Sequence, residues 1–287
     1  MLAVVMALLA ALFYALASVL QQRGAAREPH ERALQLRLLA GLAKNPLWLV
    51  GIGADIAGFI LQIVALAHGP LVLVQPLLLT GLLFALPLGA ALSGERLGTR
   101  DWIGTAVTCV GLAAFLAISD PAKGQGDVGV AKWASLLVCA AALSLTLALV
   151  GRRLSPRRRA VCYSGSAGVL YGVAAALAKA CAHLGSRGIP FLLSQWQPYM
   201  LIVVGIVGMV LAQSAFQAGS LDASLPAMTV ADPIVSILVG AIAFRETVAH
   251  TPGAVVGEAL ALGAMVVGVF LLARSRAVQR VHGQPAL

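Results

Sequence analysis

Four charged residues interrupt stretches of this chain that are otherwise apolar, and their side chains are the first candidates for chemistry. They are Asp55, Lys179, Asp232 and Glu258. An isolated charge in hydrocarbon costs at least about 2.5–3.5 kcal/mol, so each side chain is expected to face a cavity or a partner. Carboxylate oxygens are ligands that hard cations prefer. The three acidic residues are therefore candidate metal ligands.

Asp55 shares one face of a predicted helix with small and polar residues. Gly51, Asp55, Gly58 and Gln62 are spaced by four, three and four residues, which places them in one stripe along a helix. The stripe predicts a helix that turns this face toward the interior of a bundle or toward a transport pathway. A hydrogen bond between helices is the alternative role of Asp55.

Asp232 and Glu258 each have a second interpretation besides metal binding. Pro233 follows Asp232, removes one backbone hydrogen bond and frees the carbonyl group of Thr229. The Asp232 carboxylate and this carbonyl are a candidate ligand set, and a kink with a locally satisfied aspartate is the alternative. Glu258 lies in the second turn of the last apolar run, so its alternative is a position at the membrane interface.

Further polar residues and prolines extend the candidate site. Lys179 lies near the end of its run, where its long side chain either reaches the interface or pairs with a carboxylate. Glu246 ends a run beside Arg245, so a surface ion pair is expected there. Gly168 and Gly172 have a spacing that lets two helices pack closely. The other substrate-binding candidates are Gln62, Gln75, Thr80, Gln213, Gln217 and Thr229, and the hinge candidates are Pro76, Pro226 and Pro233.

The composition indicates a membrane protein. Of the 287 residues, 60% are hydrophobic and only 11% are charged, against about 25% charged in a typical soluble domain. This excludes a water-soluble enzyme, a disordered chain and a nucleic-acid-binding domain as the main interpretation. The sequence contains no H-E-x-x-H, no G-x-S-x-G and no P-loop, so we expect neither catalysis nor a cofactor.

Nine apolar runs are long enough to cross a bilayer, since a membrane-spanning helix needs about 20 residues. A tenth segment, residues 32–43, is short and carries two arginines, so it either crosses the membrane or lies at the interface. The nine runs are 2–22, 47–67, 70–92, 102–118, 133–151, 160–183, 199–218, 222–243 and 253–273.

The distribution of arginine and lysine predicts the orientation. The arginine-rich linker 152–159 is placed in the cytoplasm because cytoplasmic loops carry an excess of basic residues. Alternation from there puts the linker 93–101 and the C-terminal tail inside, and the linkers 184–198 and 244–252 outside. The side of the N-terminus depends on whether 32–43 crosses.

The two halves of the chain resemble one another at an offset of 150 residues. ALAHGPLVLVQP at 65–76 aligns with AFQAGSLDASLP at 215–226, and Gly58 aligns with Gly208. Five crossings separate the matched units if 32–43 is not counted among them, so the second copy is inverted. The sequence therefore predicts an all-α integral membrane protein with nine to ten transmembrane helices in an inverted five-plus-five repeat, a plan typical of secondary transporters. Residues 1–130 are the first half, 131–275 the second, and 276–287 a cytoplasmic tail.

The pattern of a proline-interrupted span, an acidic residue at its end and a glycine-rich span resembles the drug/metabolite transporter superfamily and its EamA-like members. Over residues 2–273 the chain is most similar to the NIPA-like magnesium transporter branch. Two positions differ from that branch: Gln75 replaces its threonine, and Asp55 stands where a glutamate is expected. The likeness rests on Phe13-Tyr14-Ala15, Gln21-Gln22-Arg23-Gly24, Gly53-Ala54-Asp55, Gln75-Pro76, and Glu258 with Gly268-Val-Phe-Leu-Leu.

The resemblance implies a secondary transporter that works by alternating access. Its first candidate substrate is magnesium or another divalent cation, with Asp55, Asp232 and Glu258 as ligands; magnesium keeps several waters and needs only one or two carboxylates. Two alternatives stay open. One is a proton-coupled exporter of small metabolites or cationic drugs, and the other is a membrane scaffold or lipid-handling subunit that transports nothing.

The expected partners are an ion or small-molecule substrate and the lipid bilayer, with no nucleic acid. The oligomeric state stays open, with a homodimer as one alternative. We expect a multi-pass protein of the cell (inner) membrane, and the abundance of Arg, Ala and Gly points to a bacterial genome. Transport direction and the coupling ion are left open.

Overall fold

A computed structural model of the protein describes residues 1–25, 42–81, 83–85, 87–88, 98–118, 128–218, 221–246 and 251–273. Over these ranges the secondary structure is helical, with no strand. The segment 32–43 lies outside the described residues except for its last two positions, and the predicted cytoplasmic tail 276–287 lies wholly outside them. The helices are α1 (Leu2–Ala25), α2 (Pro46–His68), α3 (Leu71–Leu78), α4 (Thr99–Ile118), α5 (Val130–Arg152), α6 (Pro156–Gly185), α7 (Ile189–Leu193), α8 (Gln197–Ala218), α9 (Leu221–Phe244) and α10 (Pro252–Ala273).

Helices occupy the predicted apolar runs, which confirms an all-helical, multi-pass membrane protein. Six helical stretches in the described ranges are both long enough and apolar enough to span a membrane, and α3, α4 and α10 contain shorter apolar stretches. A total of nine or ten spans, and the inverted repeat, remain predictions. The six stretches are Leu2–Gln21, Pro46–His68, Val130–Arg152, Arg158–Gly185, Gln197–Ala215 and Ala227–Phe244.

The start of α2 follows from its local sequence. The side-chain oxygen of Asn45 accepts hydrogen bonds from the backbone amides of Leu47 and Trp48, at 3.0 and 3.4 Å. These are two of the amides that the first turn of a helix leaves without a partner. Pro46 occupies the first helical position, where its missing N–H costs nothing. The chain therefore enters the membrane helix at a defined residue.

Helix α6 is the centre of the described bundle. It packs against α5, α8 and α9, and also against α2. Most of its apolar stretch Arg158–Gly185 is buried inside the protein, and much of that stretch is alanine. Small side chains let neighbouring helices approach closely, which is the main source of helix association where lipid is as apolar as the protein. Two further pairs, α1 with α2 and α4 with α10, pack beside this centre.

The two predicted proline interruptions have different outcomes. Helix α3 contains Pro76 and ends at Leu78, and the Thr80 hydroxyl donates to the Leu77 carbonyl at 2.6 Å. In contrast, α9 runs from Leu221 to Phe244 as one helix, so the expected interruption by Pro226 and Pro233 is wrong for the helix itself. A proline removes one backbone bond, and close packing against a neighbour is sufficient to keep such a helix continuous.

That neighbour contact depends on the two glycines that the sequence singled out on α6. A Cβ atom on Gly168 would lie 2.7 Å from the Ala231 Cβ and 2.9 Å from the Met228 carbonyl oxygen. A Cβ atom on Gly172 would lie 2.7 Å from the Val235 Cβ. The predicted close helix contact is therefore confirmed, and its partner is the Asp232 segment of α9.

We expect Gly172→Ala to lower the free energy of unfolding by about 1–3 kcal/mol, because overpacking a tight contact forces backbone shifts. Gly205→Ala on α8 is the matched control, since a Cβ there meets nothing within 4 Å. That change is expected to be neutral or stabilising by up to about 1 kcal/mol. SDS titration in mixed micelles, followed by circular dichroism, measures both. Equal effects of the two substitutions would contradict the packing described for Gly172.

Candidate functional site

The polar stripe of α2 lies against α1, as the spacing of its residues predicted. The hydroxyl of Tyr14 donates a hydrogen bond to the Gln62 Oε1 at 2.5 Å. One turn away, a Cβ atom on Gly58 would lie 3.0 Å from the Tyr14 ring. The missing side chain of Gly58 therefore makes room for the aromatic ring, and Gln62 fixes the direction of its hydroxyl.

Asp55 belongs to the same contact between α1 and α2. The Gln21 Nε2 donates to the Asp55 Oδ2 at 3.3 Å. A Cβ atom on Gly51 would lie 2.8 Å from the Gln21 Cγ, so this glycine admits the glutamine side chain. One oxygen of the Asp55 carboxylate is therefore held by a neighbouring helix.

Asp232 occupies the corresponding contact between α9 and α6. The Ser236 hydroxyl donates to the Asp232 Oδ1 at 3.1 Å, and it also lies 3.4 Å from the Gly172 carbonyl oxygen. A Cβ atom on Gly172 would lie 2.8 Å from the Asp232 carbonyl oxygen. The glycines of α6 thus hold the backbone that carries this carboxylate.

A second tyrosine repeats the packing of the first. A Cβ atom on Gly208 of α8 would lie 2.9 Å from the ring of Tyr171 on α6. Gly58 and Gly208 are the glycines that align at an offset of 150 residues, and each makes room for a tyrosine ring from a neighbouring helix. The internal repeat itself stays a prediction.

The two aspartates and the two tyrosines lie on helices that pack against one another. Tyr14 and Asp55 lie on the paired helices α1 and α2, Tyr171 and Asp232 lie on the paired helices α6 and α9, and α2 packs against α6. Each of the four residues lies near the middle of its helix. Asp55 and Tyr14 come from the predicted first half of the chain, and Asp232 and Tyr171 from the second. We call these four residues the central site.

Glu258 does not join this site as a third carboxylate. Among the described residues, no group of three or more His, Cys, Asp or Glu side chains is close enough to hold one metal ion. Asp55, Asp232 and Glu258 do not form such a group among the described residues, and the role of each as a metal ligand stays a prediction. Glu258 is buried on α10, which packs mainly against α4 and is thereby kept apart from α1 and α2.

The structure gives the burial of most of the other substrate-binding candidates, and their role in binding stays a prediction. Gln75 is 1% exposed, and its Nε2 has no hydrogen-bond partner within the described part of the chain. Thr80 and Gln213 are buried, and Thr229 is partly buried. The side chains of Gln217 and Pro226 lie outside the described residues.

Two features of the structure were missed by the sequence analysis. Tyr171 was not singled out, although it adjoins Gly172 and is one of only four tyrosines in the chain. Glu246 was expected in a surface ion pair with Arg245. Instead, Glu246 is 3% exposed and pairs with Lys179 of α6, while Arg245 is exposed. The sequence signal for this pair was the unassigned charge of Lys179 inside an apolar run.

Comparison with known proteins identifies the family. The profile described as "Magnesium transporter NIPA" matches residues 1–278. The chain belongs to the NIPA magnesium transporter family. An uncharacterized protein of Corynebacterium glutamicum is 30% identical over 276 residues, which cover 96% of this chain and 96% of that protein. No solved structure matches the chain.

Membership confirms the NIPA-like resemblance of the sequence motifs. This NIPA family protein is a multi-pass membrane transporter, and its family is one of transporters rather than of enzymes. Its substrate, its place in the wider drug/metabolite transporter superfamily and the boundaries of its halves remain predictions.

The hydrogen bond between α1 and α2 gives a test of the central site. Tyr14→Phe removes the hydroxyl that donates to the side chain of Gln62, and Gln62 is 6% exposed. The buried amide loses a partner without gaining water, so we expect the free energy of unfolding to fall by about 1–3 kcal/mol. Tyr199→Phe is the matched control, because Tyr199 is 56% exposed and donates to the Leu193 carbonyl.

For Tyr199→Phe the expected change is within about 0.5 kcal/mol, as for most surface substitutions. The same SDS titration measures both variants. A Tyr14→Phe variant as stable as Tyr199→Phe would show that the bond to Gln62 contributes nothing to holding α1 on α2.

Proposed function

We propose that this protein carries a divalent cation, with magnesium as the substrate, across the bacterial cell membrane by alternating access. The observation that carries the proposal is the central site, in which Asp55 and Asp232 come from two different helix pairs that are joined by the packing of α2 against α6. Membership of the NIPA family supports magnesium in particular.

The charge of the central site suits a divalent cation. Two carboxylates in a medium of low dielectric constant repel each other, and a cation with two positive charges removes that repulsion. Magnesium binds through one or two carboxylates and keeps several of its waters. In this proposal the hydroxyls of Tyr14 and Tyr171 hydrogen-bond the retained waters, and Asp55 and Asp232 provide the charge.

The location of the carboxylates suits transport rather than permanent storage of an ion. Asp55 lies on α2 beside α1, and Asp232 lies on α9 beside α6. If the two halves rock against each other, the distance between the carboxylates changes and the affinity for the ion changes with it.

The tyrosines also favour the second candidate, a proton-coupled exporter of organic cations. An aromatic face attracts a quaternary ammonium group, and a carboxylate nearby completes such a site. Protons exchanged at Asp55 would then drive export. Magnesium needs no aromatic face, so the two candidates differ in which ligand the folded protein binds.

The first experiment is thermal unfolding of the purified protein with millimolar magnesium, calcium, potassium or tetraethylammonium. A ligand that binds only the folded state stabilises it, by about 2.7 kcal/mol at a hundred times its Kd. We expect magnesium to raise the unfolding temperature of the native protein, and Asp55→Asn and Asp232→Asn to lose that increase. Glu258→Gln is the matched control, since it neutralises another buried carboxylate and is expected to keep the increase.

Flux into proteoliposomes that contain a magnesium-sensitive dye then tests transport. We expect entry of magnesium with the native protein and Glu258→Gln, and none with the two aspartate variants. Stabilisation by tetraethylammonium but not by magnesium would support the exporter. Aspartate variants that lower expression while flux through the purified protein is unchanged would support the scaffold.

A further inference from the structure

A buried ion pair lies at one end of the bundle, well away from the central site. Lys179 of α6 pairs with Glu246, which follows α9. The side chain of Glu246 is fully buried and that of Lys179 is 15% exposed. Removing one partner of such a pair leaves an uncompensated buried charge, which is strongly destabilising. The cost of leaving a buried charge without its partner therefore keeps Lys179 and Glu246 paired in this arrangement.

Glu246 also holds the first turn of α3. Its Oε1 accepts a hydrogen bond from the Leu71 amide at 3.0 Å, and its Oε2 accepts one from the Val72 amide at 3.2 Å. These amides have no partner within their own helix, and the N-terminal end of a helix favours a negative charge. A carboxylate from the predicted second half of the chain thus accepts the hydrogen bonds of two first-turn amides in a helix of the first half.

Lys179 also connects the end of α9 to the turn before α3. We call the contacts among Lys179, Glu246 and the first turn of α3 the link. Its Nζ donates to the carbonyl of Gly69, in the turn before α3, at 3.4 Å, and it lies 5.4 Å from the centre of the Phe244 ring. A Cβ atom on Gly240 would lie 2.8 Å from the Glu246 Oε2 and 3.3 Å from the Val72 Cγ2. Gly240 therefore leaves the space in which α3 and the end of α9 meet.

The predicted orientation places every part of this link on the outer side of the membrane. Linkers 184–198 and 244–252 are outside by the distribution of basic residues, and the turn at Gly69 is outside by alternation. Gly69 follows Asp55 by fourteen residues, and Glu246 follows Asp232 by the same number. At 1.5 Å per helical residue, both carboxylates lie roughly 20 Å below the link.

We propose that Lys179, Glu246 and the first turn of α3 form the outer gate of the transport cycle, which is closed in this structure. The gate rests on the proposed function in one respect, namely that the halves move by alternating access. Its donors and acceptors come from both halves, so opening the outer side separates them. The reverse movement restores a carboxylate, an ammonium group and two amides to positions in which each has a partner.

Access to position 72 tests the gate without requiring a transported ion. Val72 is 1% exposed and adjoins the link. In a chain whose four native cysteines are replaced by alanine, Val72→Cys is labelled from outside intact cells with a charged, membrane-impermeant thiosulfonate. We expect Glu246→Gln or Lys179→Met to speed this labelling by about tenfold or more, as for loss of a hydrogen bond to a charged group.

Two controls separate gate opening from loss of structure. Arg245→Gln removes a charge from the neighbouring exposed residue and is expected to leave the labelling rate of Val72→Cys unchanged. Native Cys181, kept as the single cysteine, is buried on α6 two residues from Lys179. Two residues correspond to about 200° around a helix, so Cys181 points away from the link and is expected to stay protected in Glu246→Gln.

The proposal is overturned if Val72→Cys reacts no faster in Glu246→Gln and Lys179→Met than in Arg245→Gln. It is also overturned if Cys181 becomes reactive to the same extent as Val72→Cys, since the pair would then stabilise the whole of α6. Because no ion is needed, a failed magnesium shift at Asp55 or Asp232 does not affect this result, and the two proposals can fail separately.

Discussion

A carboxylate inside a membrane protein loses its hydrogen bonds to water and needs hydrogen bonds from the protein to replace some of them. Much of the described structure follows from this requirement. Asp55 receives a hydrogen bond from Gln21, and Asp232 receives one from Ser236. Glu246 receives two backbone amides and an ammonium group. Unlike the local bond at Asp232, the donors to Asp55 and Glu246 belong to other helices, so satisfying those charges also determines which helices are neighbours.

Glycines make these contacts reachable. Side chains such as those of Gln21 and Ser236 extend only a few ångströms, so the helices that carry the aspartates must lie close to their partners. Gly51 and Gly58 admit α1 to α2, and Gly172 admits α9 to α6. Close packing and polar chemistry are therefore two aspects of one arrangement.

The two polar levels of the bundle differ in the way that a carrier requires. At the central site, Asp55 and Asp232 each have a single hydrogen bond from a neutral side chain. At the proposed outer gate, Glu246 is buried and accepts hydrogen bonds from several donors, one of which is charged. A loosely satisfied carboxylate can exchange its partner for an ion, whereas a fully satisfied one resists exchange and holds two elements together. The proposed roles of binding and gating follow from that difference.

The sequence by itself determined the helices, the membrane setting and the polar face of α2. Apolar runs of this length have no other structure in lipid, and the spacing of Gly51, Asp55, Gly58 and Gln62 requires them to share a face. Only the tertiary structure decided what that face meets, that Tyr171 packs against Gly208, and that Glu246 pairs with Lys179 rather than with Arg245. It also decided that α3 ends shortly after Pro76, whereas α9 continues through Pro233. Helical periodicity acts over a few residues, whereas these contacts join residues 34 to 175 positions apart, and such pairings depend on how whole helices pack.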